Sequence, residues 1–600
     1  MTGDPQARPV RIANCSGFYG DRFDAMAEVL RGGDIDVITG DYLAEVTMLV
    51  LAKNRLKDPE AGYAKTFERQ IAPLLEEIAA RGIKVVVNAG GLAPSILAER
   101  LRRLCGERNV PLKVAHIEGD DVLPRLGELK AAGHALTHLD TGRPLSDWPH
   151  QPLTANAYLG AWGIVAALEA GADIVVCPRV TDASVIVGPA AWWHKWGRDD
   201  WDALAGVVVA GHVIECGTQA TGGNFSGFAS LPDLIRPGFP IAEIARDGSC
   251  VITKHANTGG AVTTGTVTAQ LLYEIQGVDY LNPDVTVQLD SIQLEDRGAD
   301  CVLVRGTRGT PPPATTKVAI TALGGFENSM VFVLTGLDRS AKARLLEKGL
   351  RARFAQMPLA EIRFDLIGGI DDDPRDQLAA TSFLQVSVEG PGKLVGRAFF
   401  DAVVELSLAS YPGLLSLRGG ARGASAYGVY WPAVLSVEEL AHAAVLWDGK
   451  EVSVAPPVNT GEPRPVGPAV NAPAPSHNWG VTVRAPLGQA FHARSGDKGG
   501  NGNVGIWSTD DRGYDWLREN LTVDRIKALL PETAGLTVER YELANLKALN
   551  FVVKGLLDGG ATETLRFDPQ AKALGEYLRS KHMDLPVSLI RRNDAVPALG

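Results

Sequence analysis

Short apolar runs alternate with segments of helical period through the first third of the chain. Val10–Asn14, Ile35–Ile38, Ile83–Val87, Lys113–Ile117 and Asp173–Cys177 read as strands, because each is a compact run of mostly apolar residues bounded by polar or glycine positions. Between them, Asp21–Leu30, Tyr63–Arg81 and Ala157–Ala170 carry the spacing of helices. In the second of these, Phe67, Ile71, Leu74, Leu75 and Ile78 share a face, and Gly82 stands where a C-terminal cap belongs. Strands that are apolar on both faces and alternate with helices predict an α/β fold, a mostly parallel sheet with helices on both sides. From about Gly206 the pattern changes. Val207–Ile214, Val285–Leu289, Cys301–Arg305, Lys317–Leu323 and Val331–Leu334 read as strands in close succession, with helices returning at Arg339–Phe354 and Leu394–Ser410. This stretch predicts an α+β extension, either a second lobe or an antiparallel continuation of the first sheet.

Residues 455–478 interrupt both patterns. Seven prolines and no apolar period fall between Ala455 and Pro475, which predicts an extended, semi-rigid linker. The alternative is a long surface loop, a rarer feature of compact domains. Beyond it, residues 479–600 show strands near Val481–Arg484, Val504–Trp507, Val538–Leu543 and Ala548–Lys554, with helices near Tyr514–Asn520, Val523–Leu530 and Pro569–Lys581. That order suits a small two-layer α+β domain. The expected organisation is therefore a large domain over 1–454, a linker and a small domain.

Composition narrows the function classes. With 45% hydrophobic residues in 600 the chain has ample material for several cores, and its 22% charged residues carry a net charge of −11. A nucleic-acid or anionic-membrane partner would need an extensive basic face, so neither is expected. No apolar run approaches the length of a membrane span or begins the chain as a signal peptide would, and the six cysteines are scattered without a CxxC pair. A reduced, cytoplasmic setting is the natural expectation, and base rates favour a homo-oligomer.

Candidate chemistry sits where strands end. In an open parallel sheet, ligands bind outside the carboxyl ends of the strands. There this sequence places Asn14 and Ser16, Gly40-Asp41, Asn88-Ala-Gly90-Gly91, Glu118-Gly-Asp120 and Arg179-Val-Thr-Asp182. Strand ends are often polar for solubility alone, but the glycines leave room for close backbone approach. His212-Val-Ile-Glu215-Cys216 would place His212 and Cys216 on one side of a strand. That admits a nucleophilic cysteine or a metal, against the plainer reading of a buried structural cysteine. Asn257-Thr-Gly-Gly followed by Thr263-Thr-Gly-Thr leads into a helix and could hold an anion, or could simply cap that helix. In the small domain, Arg494-Ser495-Gly-Asp497-Lys498-Gly-Gly-Asn501-Gly-Asn503 gathers many polar side chains on one glycine-rich loop, which suits ligand contact or docking onto the large domain better than a mere turn. It matches S-x-x-K and G-x-G-x-x-G formally, but lacks the companion motifs of the first and runs into a strand where the second needs a helix. No Walker loop or HExxH is present.

Several of these segments together resemble a known family. Tyr158-Leu-Gly-Ala-Trp-Gly, Ala-Gly-Ala-Asp173 through Cys177-Pro-Arg179-Val-Thr-Asp182-Ala-Ser184, Glu215-Cys-Gly-Thr-Gln-Ala-Thr-Gly-Gly223 and Gly265-Thr-Val-Thr-Ala-Gln-Leu-Leu-Tyr-Glu274 resemble the acyclic terpene utilisation AtuA family. The Arg494–Asn501 segment is similar to that family's C-terminal ferredoxin-like domain. The resemblance implies an AtuA-like α/β domain followed by a ferredoxin-like one, and a place in the breakdown of branched isoprenoid acids as coenzyme A thioesters. It transfers no catalytic residue. The resulting expectation is a hydratase, lyase or hydrolase acting on an acyl-CoA or related carboxylate, with coenzyme A as part of the substrate and no separate cofactor or metal. Asp41, Glu118 or Asp182 would act as general base. Arg179 would clamp a carboxylate or phosphate, and Asn88 with the Gly90-Gly91 amides would donate to an oxyanion. His212, Asn257, Arg494, Ser495 and Asn501 would contact substrate, and Lys498 would close the site from the small domain or anchor a coenzyme A phosphate. Two rivals stand beside it: a non-catalytic subunit or scaffold for a biotin-dependent carboxylase, and a metal-dependent hydrolase.

Overall fold

The computed structural model describes residues 8–590 apart from 356, 358, 370, 371, 393, 418–422, 466 and 469–476. At its centre five parallel strands lie in the order β1 (Val10–Asn14), β2 (Val37–Gly40), β3 (Lys84–Val87), β5 (Ile174–Val176), β4 (Val114–Glu118). The α/β class is as expected, but parallel pairing is confined to this centre. Antiparallel strands extend the sheet on both sides, with Pro240–Ile244, Cys250–Lys254, Val302–Arg305 and Gln293–Asp296 beyond β1, and Ala443–Val445 and Glu451–Ser453 beyond β4. The extension from the second half of the large domain is thus partly a continuation of the first sheet. A further sheet forms around Thr315–Thr335, a single strand of 21 residues, paired with Ser425–Ser436 along one half and Thr381–Gly390 along the other. The Gly-Gly-Phe-Glu-Asn stretch in its middle reads as a turn in sequence, yet the strand runs through it with an irregularity between Leu323 and Gly325, paired with Ser425–Ser436 as far as Glu327 and with Thr381–Gly390 from Phe326 onward.

Four segments differ from the sequence expectation for identifiable reasons. Val207–Ile214 is no strand but the end of a helix, Trp201–Ile214, buried without interruption from Leu204 to Ile214. A helix apolar all round has no polar stripe to reveal its period, and its β-branched valines mimic strand propensity. Gly206 and Gly211 let it press on neighbouring backbone: a Cβ at 206 would lie 2.2 Å from the Gly248 carbonyl oxygen. Tyr63–Arg81 is broken by Pro73 into Lys65–Ile71 and Leu75–Arg81, while Gly82 closes the second piece with φ +64° as expected. Ala157 ends the strand Pro152–Ala157, so the following helix is only Trp162–Glu169. Leu394–Ser410 is helical only over Leu394–Val404, first as a widened turn. The helices Glu45–Arg55 and Pro94–Glu107 carry no side-chain cap and went unread in the sequence.

Positions 466 and 469–476 of the proline-rich segment lie outside the described residues. Its earlier part is tied to the large domain. Arg198 donates to the Ala455 carbonyl at 2.8 Å, and Arg464 forks onto Asp279 and Asp290.

The small domain is a four-stranded antiparallel sheet in the order β6 (His492–Lys498), β7 (Asn501–Trp507), Ala548–Val553, Val538–Leu543. One face packs on its own helices through Val504, Ile506, Trp516, Leu517 and Phe551. The other face lies against the large domain, where Trp507, Tyr541 and Val552 join a core with Leu271, Leu272 and Ile275. Every residue of β7 is buried because both faces are covered. No helix among the described residues is long and apolar enough to cross a membrane.

Candidate functional site

Strand alternation decides what the small domain presents. Along β6 the large domain meets His492, Arg494, Gly496 and Lys498; along β7 it meets Asn503, Gly505 and Trp507. His492 stacks on Phe225 at 5.2 Å, Arg494 lies 4.2 Å over the Tyr273 ring, and Lys498 pairs with Glu274 at 3.1 Å. Asn503 accepts from the Glu274 amide at 3.0 Å and donates to the Leu272 carbonyl at 2.8 Å. The glycines mark the tightest approaches. A Cβ at Gly496 would fall 2.3 Å from Tyr273, and one at Gly505 would fall 2.7 Å from Leu272. The glycine-rich segment is therefore a β-hairpin pressed onto Leu272–Glu274, and its end reaches the carboxyl ends of β2 and β5.

The two domains enclose a cavity of about 630 Å³ there. The large domain contributes Asp41 after β2, Arg179 and Asp182 after β5, Glu215 and Cys216 after the buried helix, Glu45 at the start of Glu45–Arg55, and Glu274; the small domain contributes Asp497, Lys498 and Lys572. Strands β2, β3 and β5 are neighbours, so their ends converge. Asn88, fully buried at the end of β3, donates to Asp41 at 2.5 Å and accepts from the Tyr42 amide at 2.7 Å. Arg179 pairs with Asp182 at 3.1 Å, donates to the Leu43 carbonyl at 3.1 Å and lies 4.2 Å over Tyr158. Its own amide donates to Asp120. Glu45 accepts from Tyr158 at 2.9 Å and Lys317 at 3.1 Å.

Burial and mutual repulsion shape the charges. Burial lifts the Asp41 carboxyl well above the usual range, and Asp182 and Glu215 add to it against Arg179 and the Asn88 hydrogen bond. Glu215 is lifted by burial, Asp182 and Glu274 against Lys498 and Arg179. Burial also works against ionisation of Glu45, but Lys317, Arg179 and Lys498 outweigh it and hold that carboxyl well below its ordinary range. For Lys498, burial is overcome by Glu274, Tyr280, Asp182 and Glu45, which fix it as a cation. Asp497 is pushed up to about 7 by burial and then by Glu274 and Glu45. The Cys216 thiol is raised well above its usual value by burial and by Glu215, Glu274 and Asp41, which removes the thiolate a nucleophilic cysteine needs.

Of the residues singled out in the sequence, Asp41, Arg179, Asp182 and Lys498 line the cavity. Asn88 lies beneath it as the support of Asp41, its oxygen engaged by the Tyr42 amide and one of its two N–H groups by Asp41. Gly90 and Gly91 serve packing, facing the Cys177 carbonyl and Leu51 respectively. Glu118 ends β4, one strand too far out, and pairs with His116 with its side chain 49% exposed. His212 stands behind Glu215, on a helix and not a strand, with Nδ1 3.4 Å from Oε1. Asn257 occupies an exposed turn after Cys250–Lys254, away from the cavity. Arg494 supports the wall by bonding Gln219 and the Asn224 carbonyl. Ser495 faces its own domain, bonded to Lys572 and Gly575, and Asn501 bridges Asp140 and Gly555. Sequence reading left Glu45, Glu274 and Lys317 out of the candidate set, and named Glu215 only within the His212–Cys216 segment that admitted a metal. Glu274 alone carried a signal visible only in the backbone: it holds φ +60°, a left-handed conformation disfavoured for a non-glycine residue.

The family profile described as acyclic terpene utilisation family protein AtuA matches residues 10–446, and the profile described as AtuA ferredoxin-like domain matches residues 485–584. No curated protein matches the chain.

Proposed function

Because the chain belongs to the acyclic terpene utilisation AtuA family and carries its ferredoxin-like domain, we propose that it is an enzyme of branched, isoprenoid-type acid breakdown. In this reading it binds an acyl thioester, or the related carboxylate, between its two domains and hydrates a double bond conjugated to the carbonyl, or runs the reverse elimination. The observation that carries the reading is the convergence of Asp41, Arg179 and Asp182 with Asp497 and Lys498 in one cavity. A scaffold has no need to turn fixed cations and a carboxyl poised near neutrality inward, so the convergence favours catalysis.

A second opening supports the choice of substrate. A groove of about 720 Å³ shares Val46, Ala561, Thr562 and Gln570 with the cavity and runs along Leu49, Val50 and Leu565. Its half-apolar lining suits a branched hydrocarbon chain whose polar end enters the cavity.

In the proposed reaction Asp497, as carboxylate, takes a proton from water while the water oxygen bonds to the β-carbon. The electron pair of the double bond moves onto the carbonyl oxygen, where Arg179 and Lys498 hold the enolate. Collapse of the enolate takes the proton back from Asp497 at the α-carbon, so no external reactant is needed. Tyr273, Glu274, Glu45, Lys498 and Lys572 are the polar groups that face or act on Asp497. With its carboxyl near 7, the base is ionised above that pH. Hydration of a branched 2-enoyl thioester, followed by loss of the conjugated absorbance, is expected to rise through an acid limb centred near pH 7. Asp497→Asn should lose about 10²–10⁴-fold in rate together with that limb, while still binding substrate. An Asp497→Asn rate equal to that of the parent protein would refute the assignment.

A further inference from the structure

The cavity is more acidic than an anionic or carbonyl substrate would favour. Among the described residues, seven carboxylates line it against three basic side chains, Arg179, Lys498 and Lys572. Several of the acids are already satisfied: Glu45 by Lys317 and Tyr158, Glu274 by Lys498, and Asp21 by the Gly17 and Arg22 amides. Asp497 stands on the small domain, which leaves Asp41, Asp182 and Glu215 as a cluster around Arg179; Asp41 accepts from Asn88 and the Leu43 amide through one oxygen, and one oxygen of each of the three lies within 4.8 Å of the others. Glu215 is only 5% exposed, yet its Oε2 has no hydrogen-bond partner, and Asp182 Oδ1 has none beyond its ion pair with Arg179. An orphaned carboxylate oxygen in a buried wall is costly unless something outside the protein chain completes it.

We propose that Asp41, Asp182 and Glu215 together bind one hard divalent cation of the Mg²⁺ or Mn²⁺ type. Adjacent ligand oxygens on such an ion lie roughly 3 Å apart in an octahedral shell, so the three carboxylates draw together from within 4.8 Å to complete one face, leaving the other positions for water or substrate oxygen. The donor set is all oxygen, which suits a hard ion better than zinc. His212 stands behind Glu215, with Nδ1 3.4 Å from its Oε1 and its ring tilted against Tyr280 at 5.2 Å, where it backs the carboxylate. Asn88 does the same for Asp41. Such outer contacts are a usual accompaniment of metal carboxylates. The ion's role toward substrate rests on the function proposed above; its binding does not.

The test is a titration of the chelator-dialysed, full-length protein with Mn²⁺ alone, followed by the loss of the free-ion electron paramagnetic resonance signal, with Mg²⁺ as competitor. One ion per chain is expected. Glu215→Gln and, independently, Asp182→Asn should each weaken it roughly tenfold or more, each checked for native circular dichroism. Glu118→Gln, which removes an exposed carboxylate outside the cavity, should retain binding. Absence of saturable binding at millimolar Mn²⁺, or binding unchanged in both triad variants, would overturn the site. Because no organic ligand is present, either result leaves the substrate reading to be judged by the thioester assay.

Discussion

Arg179→Met is expected to destabilise the protein by about 3–5 kcal/mol and to abolish protection by acyl ligands, since removing one partner of a buried ion pair leaves the other charge uncompensated. The guanidinium is 3% exposed on its side chain, pairs with Asp182, donates to the Leu43 carbonyl and stacks on Tyr158. Methionine keeps much of the volume but leaves Asp41, Asp182 and Glu215 facing one another without their shared cation. Arg179→Lys should recover part of the loss by restoring charge without the planar fork. Urea denaturation of the three proteins measures the stability, and a thermal scan with a branched acyl thioester measures the protection. A stability change below ~1 kcal/mol for the methionine variant would show that the carboxylates do not depend on this arginine.

Asn503→Leu should cost roughly 2–5 kcal/mol and loosen the small domain from the large one. The amide is fully buried at the centre of the interface and serves the Glu274 amide, the Leu272 carbonyl and Asn550 at once. Leucine matches its shape but leaves these groups without partners, and a buried unsatisfied polar group costs about 1–3 kcal/mol each. The consequence reaches the site because Glu274, which holds Lys498, takes its position from Asn503. Denaturant titration gives the stability, and loss of acyl-ligand binding without loss of secondary structure gives the functional part. Full ligand affinity in a destabilised Asn503→Leu protein would separate the interface from the site.

What the sequence disclosed and what it hid follow from local against tertiary causes. The strands of the parallel centre are continuous apolar runs whose burial on both faces is written in their composition, so β1 to β5 and the polar ends after them were readable. The convergence of Asp41, Arg179 and Asp182 depends on strand order, in which β5 returns between β3 and β4. Sequence order gives Glu118 the same standing as Asp182, and only the sheet separates them. The Trp201–Ile214 helix, which carries His212, reads as a strand in sequence because uniform burial erases its period. Glu45 and Glu274 were missed because an uncapped helix start and a left-handed backbone position have no signature in residue type. The Arg494–Asn503 segment stands out in sequence as a glycine-rich loop for ligand contact or for docking onto the large domain; it is a β-hairpin, and Gly496 and Gly505 are where one domain presses on the other.

The claim beneath these expectations is that both domains build one ligand site, and hydrogen exchange on the intact protein with and without a saturating branched 2-enoyl thioester tests it most directly. The account predicts simultaneous slowing of exchange in the segments around Asp41–Glu45, Arg179–Asp182 and Glu215–Gln219 of the large domain and around Asp497–Gly499 and Gly560–Thr562 of the small one. Protection confined to one domain, or lying away from these segments, would contradict it.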